Sequence, residues 1–250
     1  MKIAVFDTET IGIEKAFCYN IGLVIYDTET AYTKKYEWVI EQIWHNKMLF
    51  ETAYYSDKKP IYISRMRARK AELKKFGHVM RAINKIFKEN EISDVYAYNS
   101  PFDEKVINFN CDWYHCINPF DTVAFHDIRG YVHNAFAFTD AFKEFCEETS
   151  AFTESGNYST TAETAYRFLF NENFVEEHTA LADSVIELKI LLYCINEYGL
   201  EWHTDYTVYR SIPRTETRYL TVRSDVEGFE YQFPFQKMTF YKKNNKIILK

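Results

Sequence analysis

The sequence predicts an α/β fold with a β-rich C-terminal extension. Three features indicate it: β-like runs near the start, helical apolar spacing before residue 200, and a further series of β-like runs after it. The 250 residues are 47% hydrophobic and 26% charged, as in a globular protein with one large domain or a smaller domain plus an appendage. We therefore expect one domain at residues 1–200 and an extension at 201–250 whose role the sequence does not assign.

The first elements are predicted to be strands. Runs rich in apolar and β-branched residues occupy residues 2–6, 21–26 and 35–40, and we expect a hairpin at this end of the chain. A fourth β-like run, DVYAY at 94–98, ends at the sequence Asn-Ser-Pro, which is a stop signal for a strand.

A strongly basic segment lies between these strands. Residues 58–75 contain eight Lys or Arg residues and a single acid, a local charge of +7 in a chain whose formal net charge is −6. Apolar residues from Met66 to Phe87 recur at intervals of three, four and seven, which predicts one amphipathic helix with a basic outer face that runs to about Glu89. That face is either simply solvated or an electrostatic guide for a phosphate backbone.

The later elements are predicted to be helices and then strands. Helical character at residues 102–109 precedes a less regular middle, and helices are expected at 161–170 and 180–198, the latter with Gly199 as its C-cap. Beyond residue 200 the predicted strands are 206–209, 217–223 and 229–235, followed by a hairpin through 243–245. This tail carries nine basic and six acidic residues.

Two carboxylates close the first predicted strand. Asp7 and Glu9, in the run FDTET at 6–10, are two residues apart and would project from the same face of an extended chain. Like charges placed side by side repel, and a divalent cation between them would relieve the repulsion. A solvated strand end that leads into a turn would contain the same pair, so the pair alone leaves both interpretations open.

Three further residues extend this pattern. Asp103 follows a strand end at the start of a helix, and His178 precedes a helix whose first two turns contain Asp183. Each of these positions alone is commonly structural, because acidic side chains are favoured near helix N-termini. The combination, in the order D-x-E, D, H-x4-D, is more than chance would give.

These motifs resemble those of the DEDDh branch of the DnaQ-like exonucleases, within the ribonuclease H-like superfamily. The FDTET run is similar to the first motif of that family, NSPFD at 99–103 to the second, and HTALAD at 178–183 to the third. The resemblance covers about residues 1–198 and implies a ribonuclease H-like mixed β-sheet flanked by helices. The chain departs from the pattern at Ile11, where many members have Thr, and it lacks the histidine often found before Asn99.

The resemblance implies a metal-dependent 3′-5′ exonuclease. It implies that two divalent ions, Mg²⁺ with Mn²⁺ as a substitute, are held by four carboxylates, while His178 accepts a proton from the attacking water. It further implies that residues around the first two motifs bind the 3′-terminal nucleotide. The metal ligands implied are Asp7, Glu9, Asp103 and Asp183, and the substrate-binding residues are Thr8, Thr10, Ile11, Gly12, Asn99 and Phe102.

The expected substrate is a nucleic-acid end. Single-stranded DNA or an unpaired 3′ terminus is the first choice and RNA the second, because no motif reveals contacts to a 2′-hydroxyl. Phe102 would stack on bases, or would be a buried aromatic residue at a helix start. Two bound divalent ions would cancel the −4 of the four carboxylates, which answers the objection that the chain is acidic. A nucleic-acid-binding module of the same fold without catalysis is the alternative from a different class.

The cysteines and the absence of an apolar span bear on the compartment. Five cysteines at irregular spacing predict free thiols in a reducing cytoplasm, or in the host cytoplasm if the chain is encoded by a phage. Cys111 and Cys116, with histidines nearby, match no common zinc-site spacing. We expect no membrane partner and no signal peptide, and proofreading would require a polymerase or another replication or repair protein as a separate partner. The sequence leaves the oligomeric state open.

Overall fold

The computed structural model describes residues 1–12, 16–214, 219–223, 230–234, 240–243 and 246–249. These residues form two compact units. The first comprises Met1–Phe142 and Thr160–Tyr209, and the second comprises Lys143–Ser159 and Arg210–Lys250. The predicted division into residues 1–200 and 201–250 stays a prediction.

A six-stranded mixed sheet forms the centre of the first unit. Its strand order is β4-β3-β2-β1-β5-β6, with β2 antiparallel to both neighbours and the pairs β1–β5, β5–β6 and β3–β4 parallel. Helices flank this sheet, so the predicted fold class is confirmed. The strands are β1 (Lys2–Thr10), β2 (Cys18–Asp27), β3 (Thr33–Ile40), β4 (Glu72–Lys74), β5 (Asp94–Ala97) and β6 (Ala124–Asp127).

The helices include several that the sequence pattern did not predict. The helix predicted at 180–198 is confirmed at those bounds. Gly199 ends it in the left-handed conformation with φ 67°. The α-helices are α1 (Glu41–Trp44), α2 (Lys47–Phe50), α3 (Lys59–Arg67), α4 (Phe76–Asn90), α5 (Ser100–Trp113), α6 (Ile128–Ala135), α7 (Asp140–Thr149), α8 (Ala162–Leu169) and α9 (Ala180–Tyr198), and short 3₁₀ turns occur at Ser56–Lys58 and Pro119–Thr122.

The core follows from the alternation of side chains along β1. Ala4 and Phe6 are fully buried and belong to a hydrophobic cluster that includes Val79 of α4 and Val106 of α5. The neighbouring residues of β1 point to the other face of the sheet, where α9 contacts β1 and β2. The two faces of β1 therefore pack against different helices. Side chains at the carboxyl end of β1 likewise alternate between these two faces.

The prediction of a single basic helix is wrong. The chain forms α3, turns, adds β4 to the edge of the sheet beside β3, and only then enters α4. Arg69 has φ 57°, a left-handed conformation that ends the helical path, and the backbone of Glu72–Lys74 pairs with β3 instead of with a helical turn. Leu73 is partly exposed on this edge strand, so its apolar spacing to Met66 did not mark a shared helix face.

The predicted strand at 206–209 is also wrong, because side chains replace a neighbouring strand there. His133 Nδ1 accepts the backbone N–H of Tyr209 at 3.0 Å, and the Asn134 amide donates to the Thr207 carbonyl at 3.0 Å. Hydrogen bonds of this kind satisfy the backbone without a ladder. The segment is irregular and lies close to α6.

The second unit contains two antiparallel strand pairs, as predicted for a β-rich extension. One pair joins β7 (Tyr219–Arg223) to β8 (Glu230–Pro234), and the other joins β9 (Phe240–Lys243) to β10 (Lys246–Leu249). The outer parts of the predicted strands at 217–223 and 229–235, and the turn at 244–245, lie outside the described residues.

None of the five cysteines forms a disulfide, as predicted. Within the described residues, no helix combines the length and the apolar character needed to cross a bilayer.

Candidate active site

A cavity of about 360 Å³ opens at the carboxyl end of β1. Most of its lining is acidic, and none of the described residues that line it is Lys or Arg. Such a surface attracts cations and repels a bare phosphate. The lining residues are Asp7, Thr8, Glu9, Tyr55, Thr161, Glu163, Glu176, His178, Asp183 and Glu187.

Three of the predicted metal ligands converge in this cavity. Asp7 and Glu9 project from one face of β1, and Asp183 projects from the first turn of α9. One carboxylate oxygen from each lies within 4.8 Å of the other two. The start of α9 is held on the sheet by Asn20 of β2, whose side-chain oxygen accepts the N–H of Ala180 at 2.9 Å.

Burial and mutual repulsion disfavour the ionised form of these acids. Burial, with the nearby carboxylates, raises the pKa of Glu9 to about 9 and that of Asp183 to about 10. Burial also raises the pKa of Asp7 well above its usual range, with further contributions from Asp103 and Glu176. The folded chain therefore holds protons here at neutral pH unless positive charge enters the site.

The unpaired oxygens of the site fit a divalent cation. Within the described residues, Asp183 Oδ1 and Glu187 Oε2 are buried and have no hydrogen-bond partner. A buried oxygen without a partner is costly, and coordination to a hard cation would satisfy it. Asp7, Glu9 and Asp183 are the residues that would hold such an ion.

Asp103 reaches the same region from the other face of β1. It is 2% exposed in the first turn of α5, and its Oδ1 accepts the Thr8 hydroxyl at 2.7 Å. Burial raises the pKa of Asp103 to about 7, against the lowering effect of the hydrogen bonds at Thr8. The structure brings Asp103 next to the carboxylates but ties it to Thr8, so its role as a metal ligand stays a prediction.

His178 stands at the rim of the cavity with Glu176 and Tyr55 as neighbours of its ring. Its Nδ1 lies 3.6 Å from Glu176 Oε2, and the Tyr55 ring stacks on the imidazole with centroids 4.2 Å apart and planes at 10°. Burial lowers the pKa of His178, which favours the neutral ring. The backbone of His178 has φ 56°, a left-handed conformation that is uncommon for a residue other than glycine.

Arg65 fixes the chain on either side of His178. Its guanidinium donates to Glu177 Oε1 at 2.5 Å, to Thr179 Oγ1 at 3.0 Å and to Glu37 Oε1 at 2.8 Å. The Glu37 side chain is fully buried on β3, so the pair anchors the loop to the sheet. Arg65, one of the eight basic residues at 58–75, therefore forms structural ion pairs and does not contribute to a free cationic surface.

The predicted substrate-binding residues lie around the end of β1 and the start of α5. Thr10 donates to the Gly12 carbonyl at 3.0 Å, and the N–H of Ile11 donates to the Phe17 carbonyl at 3.0 Å. Asn99 has φ 62° and its N–H donates to Asp127 Oδ1 at 2.9 Å. Phe102 is half-buried against the hydrophobic cluster. Their contacts with substrate stay predictions.

Five residues that line the cavity were not predicted from the sequence. Glu187 is four residues beyond Asp183 on the same face of α9, and this spacing could have indicated it. Glu176 is two residues before His178 in a stretch without regular secondary structure. Tyr55, Thr161 and Glu163 come from parts of the chain with no motif, and no sequence signal places them at the site.

No protein-family model and no curated protein matches the chain. Solved structures similar to it include E. coli Exonuclease I in complex with a dA16 oligonucleotide, with a TM-score of 0.48 and 15% identity over 79% of this chain and 41% of that chain. The zinc-bound form of an E. coli ExoI–ssDNA complex gives a TM-score of 0.49 and 13% identity over 78% and 41%. The chain thus spans about two fifths of the length of these proteins.

Proposed function

We propose that this protein is a metal-dependent 3′-5′ exonuclease that removes nucleoside 5′-monophosphates from single-stranded DNA or unpaired 3′ ends. The observation that carries the proposal is the convergence of Asp7, Glu9 and Asp183 within 4.8 Å, with His178 on the same cavity.

The carboxylates would bind divalent ions, Mg²⁺ in the first instance. Bound there, two ions would supply Lewis-acid stabilisation of the attacking and leaving oxygens. Asp7, Glu9 and Asp183 would hold the first, and Asp7 would also contribute to the second. Asp103, fixed by Thr8, would orient water at the edge of the site.

His178 would accept the proton of the attacking water. Its Nδ1 faces Glu176, which leaves Nε2 as the nitrogen that takes the proton. A neutral imidazole suits this task, since its unperturbed pKa lies near 6.5. The Tyr55 stack holds the plane of the ring, so that Nε2 keeps one direction during turnover.

The 3′ end would be held by the residues next to the carboxylates. The backbone from Thr8 to Gly12 would contact the terminal nucleotide, Asn99 would position the strand, and Phe102 would stack on a base. Aromatic stacking tolerates any base, so little sequence preference is expected.

End-labelled oligonucleotides of matched DNA and RNA sequence test this proposal. With Mg²⁺ or Mn²⁺, a 5′ label should give a ladder that shortens with time, while a 3′ label should appear at once as a mononucleotide, and a chelator should stop both. Labelled fragments of intermediate length from the 3′-labelled oligonucleotide would indicate internal cuts and would contradict the exonuclease assignment. Faster degradation of RNA would move the substrate to RNA, and binding of DNA without any degradation would favour a binding module.

A further inference from the structure

A second group of metal-ligating side chains lies away from the carboxylate cavity. Asp94 begins β5 at the end of the strand opposite Asn99, His126 lies on the neighbouring β6, and His203 follows α9. Asp94 Oδ1 is 2.9 Å from His126 Nε2 and 2.7 Å from His203 Nδ1. Two imidazole nitrogens therefore converge on one carboxylate oxygen at a largely buried position.

The surroundings of this group hold each ligand in a fixed orientation. The second nitrogen of His126, Nδ1, lies 2.8 Å from Asp205 Oδ1, the arrangement in which a carboxylate orients a metal-bound histidine. Ser93 donates to the other oxygen of Asp94. The backbone N–H of His203 donates to the Tyr96 hydroxyl at 2.9 Å.

A divalent ion fits the charges of this group. Both ring nitrogens of His126 face carboxylate oxygens, Asp94 Oδ1 at 2.9 Å and Asp205 Oδ1 at 2.8 Å. A divalent ion bound at Asp94, His126 and His203 would balance the negative charges of Asp94 and Asp205. The ligand atoms would have to separate by about half an ångström or slightly more, since tetrahedral bonds of about 2.0–2.2 Å from Zn²⁺ to nitrogen or oxygen place the ligand atoms about 3.3–3.6 Å apart.

The ligand types and their exposure point to zinc. Two histidines and one carboxylate suit Zn²⁺ and suit the harder Mg²⁺ poorly. The Asp205 and His203 side chains are 81% and 40% exposed, so an ion can enter from solvent, while Asp94 and His126 are buried.

We propose that Asp94, His126 and His203 bind one Zn²⁺ ion, with Asp205 as the positioning residue for His126. The ion fastens residues 201–206 to β5 and β6, with water completing four-coordination. This site shares no ligand with the carboxylate cavity, and its test does not depend on nuclease activity.

The test measures Zn²⁺ binding in a chain in which two of the active-site carboxylates are removed by Asp7→Asn and Asp183→Asn. Zn²⁺ retained after dialysis is measured by elemental analysis, Co²⁺ in its place is followed by visible absorption, and thermal unfolding is recorded with and without Zn²⁺. His203→Asn removes one ligand and keeps a residue type that tolerates the left-handed backbone at φ 60°. His115→Asn is the matched control, since His115 is also exposed and left-handed, with φ 50°.

We expect one Zn²⁺ per chain, a rise in Tm on its addition, and an absorption band with Co²⁺. His203→Asn should abolish all three, His115→Asn should change none, and Asp205→Asn should weaken binding about 10- to 100-fold. Absence of stoichiometric Zn²⁺ in the parent chain would overturn the proposal. Equal Zn²⁺ binding in the His203→Asn and His115→Asn chains would also overturn it. If His203→Asn does not fold, Asp205→Asn still tests the proposal, because Asp205 is exposed.

Discussion

Gly22 of β2 lies against the backbone of Ala180, the first residue of α9. A Cβ atom on Gly22 would come within 2.2 Å of the Ala180 carbonyl oxygen, which is closer than any real contact. Gly22 is also the partner of Asp7 across the β1–β2 ladder. The absence of a side chain at this position lets α9 approach the sheet and brings Asp183 to Asp7.

Gly22→Ala should therefore lower stability and disturb the site together. Because the clash is with backbone, the helix must shift, and we expect a loss of about 1–3 kcal/mol or more in the free energy of unfolding. Gly77→Ala in α4 is the matched control, since its Cβ would meet Cys116 at an ordinary 3.4 Å and alanine favours helix. Denaturant unfolding of both variants measures the effect, and equal stabilities would refute the steric account.

Removal of Arg65 should leave Glu37 buried and unpaired. We expect Arg65→Ala to cost about 3–5 kcal/mol in denaturant unfolding, the range found when one partner of a buried ion pair is lost. Adding Glu37→Gln to that variant should recover part of the loss, because the uncompensated charge disappears. Arg67→Ala, on the exposed end of α3, should change stability by less than about 0.5 kcal/mol. If the double variant is no more stable than Arg65→Ala, loss of the Arg65–Glu37 pair does not explain the destabilisation.

The stacking of Tyr55 on His178 predicts that two variants of Tyr55 differ in activity. Tyr55→Ala should lower kcat about 2- to 10-fold, corresponding to the 0.5–1.5 kcal/mol of an aromatic pair, while Tyr55→Phe should retain activity. Tyr54, the adjacent tyrosine, is 87% exposed, and Tyr54→Ala is the control. Steady-state kinetics on a DNA oligonucleotide separate kcat from KM. Equal losses for the alanine variants of Tyr54 and Tyr55 would argue against positioning of the imidazole.

The raised pKa values predict how stability depends on pH without metal. Asp103, Glu9 and Asp183 have folded pKa values of about 7, 9 and 10, whereas the unfolded values lie near 4. Between these limits the folded chain binds more protons than the unfolded chain, so its stability falls as pH rises. In EDTA, the free energy of unfolding should decrease from about pH 5 to about pH 8, and saturating Mg²⁺ should flatten this slope. A slope of the opposite sign in EDTA would contradict the assignment.

The sequence predicted those parts of the fold whose signal is local. The apolar spacing and Gly199 gave α9 its bounds, and the D-x-E pair at a strand end correctly predicted two carboxylates on one face. The two wrong elements have non-local causes. The edge strand β4 depends on pairing with β3, which lies more than thirty residues earlier, and residues 206–209 are held by side chains of α6.

The missed site residues have the same explanation. Glu176 and Tyr55 reach His178 through loops that the sheet and Arg65 hold in place, so no periodic pattern marks them. Gly22 sits in an apolar strand, where its need for close backbone approach is visible only once α9 is placed. Motifs therefore located the carboxylates, and tertiary contacts supplied the residues that orient the histidine.

The most direct test of the proposed nuclease compares Mg²⁺-dependent nucleotide release by the wild type and by Asp7→Asn on a 5′-labelled single-stranded DNA oligonucleotide. Asn nearly matches the shape of Asp but removes the charge, so its fold can be checked by thermal unfolding in EDTA. We predict stepwise shortening by the wild type that stops in EDTA, and a loss of at least about 10²-fold in rate for a folded Asp7→Asn. Equal rates for the two proteins, or wild-type degradation that persists in EDTA, would contradict the account.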